Sequence, residues 1–383
     1  MTTPHPDQSP VSLPATLPAR APDGGLSAAL ASARIGGLDF LRAVAVALVL
    51  IGHSVEGHPV LGPWVGSLSG LGVKVFFVLS GFLITKLILA EISSQGRLGF
   101  GGFYRRRLAR LMPAFYLYLA VVIGILWWRD KPIPWEAIVA SIFYVTNYYQ
   151  AFTGAESNVV AHCWSLAVEE QFYLLWPLLL VFVLRRGGSL VVALCAIIVA
   201  VWCWRWYLTL HVGASVDYLY RALDTRADEL AVGCLVAVLA QSASHRAWMA
   251  RLTERPWAGP VLVVVLYAVA LMDGHSAAFK YGVGYVIEPF IIAALMLITI
   301  AASTRGGWVA AWVNQRWLVH MGQVSYGMYL FHGVVMYSMQ RAVEARGGPF
   351  WLGLVLAFLA VWLVAGLSFR WFETPLRQRI NGH

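Results

Sequence analysis

The sequence predicts an all-α, polytopic helical membrane protein of about ten transmembrane helices, with both termini on the cytoplasmic side. Three observations carry that prediction. Only 12% of the 383 residues are charged while 59% are hydrophobic, and the mean hydropathy is +0.68. Apolar runs long enough to cross a bilayer recur along the chain. The basic residues are also lopsided: with the N-terminus inside, nineteen of the 28 Lys and Arg fall on the inner side, as the positive-inside rule requires. In hydrocarbon the backbone must satisfy its own hydrogen bonds, which selects helices over irregular chain.

Taken in order, residues 1–34 are rich in Pro, Ala and Ser and lack the compact apolar stretch of a cleaved signal peptide, so they read as a disordered cytoplasmic tail. Spans are expected at about 36–55, 70–90, 111–128, 164–184, 188–206, 228–241, 257–272, 284–302, 323–341 and 350–369. The run 137–152 is apolar but short, aromatic and followed by polar residues, which suits an interfacial or re-entrant segment. The longest polar stretch expected outside is 207–227, and residues 377–383 read as a short cytoplasmic tail.

Composition also excludes some classes. The net charge of +9 is explained by basic residues flanking spans, and no basic soluble module is present to bind nucleic acid. Cys163, Cys195, Cys203 and Cys234 form no CxxC pair, so they fit membrane packing better than a disulfide frame. No His/Cys/Asp cluster has metal-ligand spacing, so no metal is expected.

An ionised side chain at mid-membrane costs about 2.5–3.5 kcal/mol on insertion scales, so such residues mark cavities or pairs. In "LDFLRAVAVALVLIGH" (Leu38–His53), Arg42 and His53 leave one helical face, about 16 Å apart along the axis. Asp39 stands three residues before Arg42 and can neutralise it. In "HCWSLAVEEQFYLLWP", His162, Ser165 and Glu169 form one stripe, and Glu170 points about 100° away. In "GQVSYGMYLFHG", Ser325, Tyr329 and His332 share a face inside a span. "YRALDTRADELAVG" gathers Arg221, Asp224, Arg226 and Asp228 at the expected outer mouth of the sixth span, and "FYRRRLARLMP" gathers Arg106, Arg107 and Arg110 at the inner surface. Each has a structural alternative: a snorkelling anchor for Arg42, helix capping for the glutamates, interhelical glue for Ser325–His332, a solvated salt-bridge cluster at Arg221–Asp228. For the arginine run, guanidinium forks suit phosphates bidentately.

These motifs, in this order, resemble the acyltransferase-3 family, the O-antigen acetylase type of membrane acyltransferase. The Arg42–His53 spacing is similar to its first-span signature and "GVKVFFVLSGFLIT" (Gly72–Thr85) to its second. Arg107 and Arg110 match its Arg-x-x-Arg pair, and "WSLAVEE" its Trp-Ser-Leu-x-Val-Glu-Glu motif. "RADELAVG", "SYGMYLFH" and "FETP" match later segments. The likeness covers about 36–376, so 35–376 is expected to be the acyltransferase transmembrane domain. Lys74 and Phe40 depart from common family residues. Many members continue into a secreted esterase-like domain, which is not expected here.

The resemblance implies a multi-pass enzyme of the bacterial cytoplasmic (inner) membrane. It would move an acyl group, usually acetyl, from cytoplasmic acyl-coenzyme A (acetyl-CoA) to a hydroxyl of a saccharide or glycoconjugate. Such transfer needs a base, oxyanion stabilisation and water exclusion. His53 is the expected base or transient acyl acceptor, with Glu169 orienting it and Glu170 in support. Arg42, Arg106, Arg107 and Arg110 are expected to hold the donor. His162, Trp164, Ser165, Arg226, Asp228, Ser325, Tyr329 and His332 are expected to bind the acceptor. A transporter built on the same buried charges is the first rival, though no inverted repeat is visible. A donor-binding scaffold without turnover is the second.

Overall fold

In the computed structural model, described for residues 26–31, 35–56, 58–155 and 159–382, every regular element is a helix among the described residues. Of the expected tail, Leu26–Ala31 forms one short helix with Leu26 and Leu30 buried; its remaining residues lie outside the described ones.

The first span is α1 (Leu38–Val55) and the second α2 (Leu68–Gln95). The third, α3 (Phe100–Trp128), runs 29 residues, about 43 Å at 1.5 Å per residue and longer than a ~30 Å hydrocarbon core. The arginine run, which the sequence puts before a span starting near 111, lies within this helix. Pro113 sits inside it without ending it, since membrane helices re-satisfy the freed carbonyl through neighbours. The extra turns carry Arg106, Arg107 and Arg110 along one wall, and the corresponding extension of α2 carries Glu91.

The 137–152 segment forms two eight-residue helices, α4 (Trp135–Ile142) and α5 (Thr146–Thr153), broken where Tyr144 takes a φ of 54°. Each is about 12 Å long, too short to span. The break is pinned by α6 (Cys163–Arg185): Gln171 Nε2 donates to the Tyr144 carbonyl at 2.8 Å and to Asn147 Oδ1 at 2.9 Å. Then follow α7 (Leu190–Tyr207), α8 (Ala227–Leu239) and α9 (Ala243–Thr253). The α8–α9 pair is bent by 114°. The remaining helices of eight residues or more are α10 (Ala258–Asp273), α11 (Tyr285–Ala302), α12 (Arg316–Gln323), α13 (Ser325–Glu344), α14 (Phe350–Ser368) and α15 (Thr374–Asn381).

Among the described residues seven helices are long and apolar enough to cross a membrane, or eight with the bent pair counted as one span. α10, at 16 residues, is a shorter apolar helix, and the twenty-residue α13 carries the polar Ser325–His332 face. All ten expected spans are thus helical, and the chain is an all-α polytopic membrane protein.

One continuous core of buried residues runs through α1, α2, α6, α8, α11 and α13. One close seam is α2 against α8. A Cβ on Gly81 would strike the Leu230 carbonyl, and one on Gly233 the Val78 carbonyl. Two glycines facing in opposite directions let the two backbones touch, the small-residue contact typical of membrane helices. Trp176 Nε1 of α6 adds a buried hydrogen bond to Thr85 Oγ1 of α2 at 2.8 Å.

Candidate active site

Between α1, α2, α3, α6, α13 and the C-terminal segment lies a cavity of about 590 Å³. The two ends of α1 give it direction. At the Arg42 end its lining is ionic, with Asp39, Arg42, Glu91, Arg106, Arg107, Arg110, Glu373 and Arg377. Towards the other end it narrows between Phe76, Phe77, Ser165 and Tyr329.

Most of the ionic groups are paired. Arg42 Nη1 donates to Asp39 Oδ1 at 3.1 Å, as the i,i+3 spacing predicts. Arg106 Nη2 donates to Glu91 Oε2 at 2.5 Å, joining the extensions of α2 and α3. Arg107 Nη2 donates to Glu170 Oε1 at 3.0 Å, and its guanidinium lies 3.1 Å from the Tyr173 ring centroid. This sandwich between a carboxylate and an aromatic face holds the fork flat against the wall. Glu169 lines the cavity and accepts from Ser80 Oγ at 2.9 Å.

The narrow end is closed by hydroxyls and imidazoles. Ser165 Oγ and Tyr329 Oη are 2.6 Å apart, and Tyr329 Oη also reaches the His162 carbonyl at 2.9 Å. Behind them His162 and His332 lie with ring centroids 4.8 Å apart, and His332 stacks on His53 at 5.4 Å. His53, 40% exposed, has Nδ1 3.0 Å from Glu56 Oε2. Three imidazoles therefore lead from the exposed end of α1 to the cavity's last hydroxyl pair. The pattern reading grouped His53, His162, Ser165, Tyr329 and His332 by separate motifs, and the fold brings them together.

It does not bring Glu169 to His53. The carboxylate beside His53 is Glu56, and Glu169 faces the cavity with Ser80. Ser325 is buried and lines the cavity. Trp164 packs on Tyr220 with ring centroids 4.9 Å apart. Arg226 and Asp228, expected at a mouth, are buried instead. Asp228 accepts two hydrogen bonds from Arg205, at 2.7 and 3.0 Å, while Arg226 pairs with Glu229 at 3.1 Å and faces the Tyr285 ring at 4.4 Å. Next to them Lys74 bonds Glu288 and, at 3.2 Å, Asp273. The sequence reading missed Arg205, Glu288 and Asp273, single ionisable residues at span ends with no motif around them. It also missed Glu91, Ser80 and Tyr173, whose only signal is one-face spacing with residues it did find. No group of three or more His, Cys, Asp or Glu able to hold a metal occurs among the described residues.

Comparison with known proteins gives this cavity a context. A family model described as an acyltransferase domain matches residues 35–369. YrhL of Bacillus subtilis is 30% identical over 360 residues, covering 90% of this chain and 55% of its own. An O-acetyltransferase of Staphylococcus aureus, OatA, is 29% identical over 365 residues, covering 90% and 57%. The peptidoglycan O-acetyltransferase OatA of Listeria monocytogenes is 28% identical over 362 residues, covering 89% and 55%. The chain thus spans little more than half the length of these relatives. No solved structure matches it significantly. With a family match across nearly every helix that walls the cavity, the chain belongs to the acyltransferase-3 family, whose members are enzymes of acyl-group transfer.

Proposed function

We propose that the protein moves an acyl group, acetyl in the first instance, from acyl-coenzyme A to a hydroxyl of a saccharide, across the bacterial cytoplasmic membrane. The observation that carries this reading is the polarity of that cavity: guanidiniums at the Arg42 end, hydroxyls and imidazoles at the other. The basic-residue asymmetry supports an Arg42 end in the cytoplasm, where the thioester is made. The domain reading follows: a membrane acyltransferase unit over 35–376 between short cytoplasmic tails. Relatives named for peptidoglycan O-acetylation make a cell-wall type glycan the first acceptor to try.

In this reading Arg42, Arg106, Arg107 and Arg110 hold the donor's phosphates and polar arm, the guanidinium fork matching phosphate oxygens. The acyl thioester occupies the narrow end, where the Ser165 hydroxyl, positioned by Tyr329, turns to donate to the oxygen that becomes negative. The acceptor hydroxyl reaches the thioester carbon at the imidazole layer; His53 takes its proton through His332, and its oxygen attacks that carbon. The C–S bond breaks, and the proton returns through His332 and His162 to the leaving thiolate. Glu56 fixes the His53 ring, and the Glu169 and Glu170 carboxylates keep the arginine-rich wall charge-balanced. Trp164 and the buried Arg226 and Asp228 shape the acceptor side from behind.

The test uses purified protein in liposomes, with radiolabelled acetyl-coenzyme A supplied on one side and cell-wall glycan on the other. Wild type transfers label. His53→Ala loses transfer, and Arg107→Ala keeps it only at raised donor concentration. Label that moves unchanged across the membrane in both wild type and His53→Ala, with no acylated glycan, would give the chain to transport.

A further inference from the structure

We propose that Arg377, on the C-terminal helix α15, completes the phosphate-binding mouth of the cavity together with Arg110. This rests on the donor reading above and adds a residue that neither the motifs nor the family match contains, since the match ends at 369. After α14 the chain makes a π-helical turn over Phe369–Glu373 and re-enters a helix at Thr374. The turn redirects α15 against α3, so Phe369, Glu373 and Arg377 become part of the cavity lining.

Five arginines line that cavity: Arg42, Arg106, Arg107, Arg110 and Arg377. Three are already engaged, by Asp39, Glu91 and Glu170. Arg110 and Arg377 have no carboxylate within ion-pair distance among the described residues. The nearby carboxylate that could have taken one, Glu373, is instead held by Ser368 Oγ at 2.9 Å. Two guanidiniums, from the two helices that frame the same opening, are therefore left with unfilled donors facing the cavity. Two guanidiniums that line one opening with a single carboxylate near them, itself held by a serine, leave net positive charge that fits a phosphate-bearing ligand. The ligand class is a soluble phosphate or diphosphate ester, such as the nucleotide end of coenzyme A.

The experiment is equilibrium binding to the full chain in neutral detergent. The probes are coenzyme A, phosphate-free pantetheine and inorganic pyrophosphate. The variants are Arg377→Ala, Arg377→Lys and, as a control on the exposed face of the same helix, Arg379→Ala. We expect Arg377→Ala to weaken coenzyme A and pyrophosphate about tenfold or more, to leave pantetheine unchanged, and to be partly rescued by Lys. Arg379→Ala binds like wild type. Equal binding of coenzyme A by wild type and Arg377→Ala overturns the proposal. If wild type binds pyrophosphate through Arg377 but shows no preference for coenzyme A over pantetheine, the anion site stands and the donor reading falls. Added phosphatidylglycerol separates the sources. Coenzyme A affinity that persists supports a soluble ligand. Loss of coenzyme A binding in wild type alone gives the site to a lipid headgroup and overturns the proposal.

Discussion

Lys74→Met should destabilise the protein severely without touching the cavity. Lys74 sits inside the bundle, its side chain 4% exposed, bonded to Glu288 and to Asp273 at 3.2 Å and lying 4.0 Å from the Tyr285 ring centroid. Glu288 is fully buried and Asp273 nearly so. Methionine keeps the length of the stem, so little volume is lost; what disappears is the cation between two buried carboxylates. At an effective dielectric of 20 a unit pair 3.2 Å apart attracts by roughly 5 kcal/mol. Removing one member of a buried pair costs about 3–5 kcal/mol, because the other charge stays behind unpaired. For a chain of 383 residues that corresponds to a fall of roughly 4–6 °C in unfolding midpoint. The assay is thermal unfolding in detergent followed by the monodisperse fraction on size exclusion. Lys74→Met with Glu288→Gln should recover a large part of the loss, because the stranded charge goes too. An unchanged midpoint in the single variant, or no recovery in the double one, would refute the assignment of this cluster as a mutually neutralising set.

Three further outcomes follow from the geometry. Tyr329→Phe removes one of the two hydroxyls at the narrow end and should lower kcat about 10²–10³-fold with donor KM little changed, measured by acyl transfer in liposomes. Asp228→Asn breaks a doubly bonded buried pair with Arg205 and should lower the unfolding midpoint rather than raise the acceptor KM; a selective acceptor defect in a fully stable variant would restore Asp228 to the binding site. Gly233→Ala pushes a methyl into the Val78 carbonyl across the α2–α8 seam and should cost about 1–3 kcal/mol, read by the same unfolding assay.

Much of the fold was legible because lipid leaves one period and one length to look for. Each expected span is a helix, and the odd segment 137–152 announced itself by being too short. The boundaries that failed did so for physical reasons. α3 starts well before 111 because Pro113 is tolerated in a membrane helix, and that continuity turns the arginine run from a surface feature into a cavity wall. At the site, one-face spacing found Arg42–Asp39, a contact made within a single helix, and put Ser165 and Glu169 on the wall of one cavity. Contacts between helices were beyond it. Nothing in the spacing says that Glu169 meets Ser80 rather than His53, that His332 stacks on His53, or that the polar run Arg226–Asp228 is turned inwards onto Arg205 and Tyr285.

The imidazole layer also sets where the membrane's electric field falls. In the proposed reading, water entering from the Arg42 end carries the potential of one compartment up to Ser165 and Tyr329, and the exposed His53 stands nearer the potential of the other. Nearly the whole voltage drop is then compressed across His162 and His332, a dielectric only two rings thick. A full elementary charge crossing 100 mV gains or loses about 2.3 kcal/mol. In the proposed reaction the acyl group is transferred uncharged, but the acceptor's proton, in its passage to the thiolate, crosses the layer as a charge. With the Arg42 end inside, an energised, inside-negative membrane pulls that proton inwards, so the enzyme would draw on membrane potential although it transports no ion for its own sake.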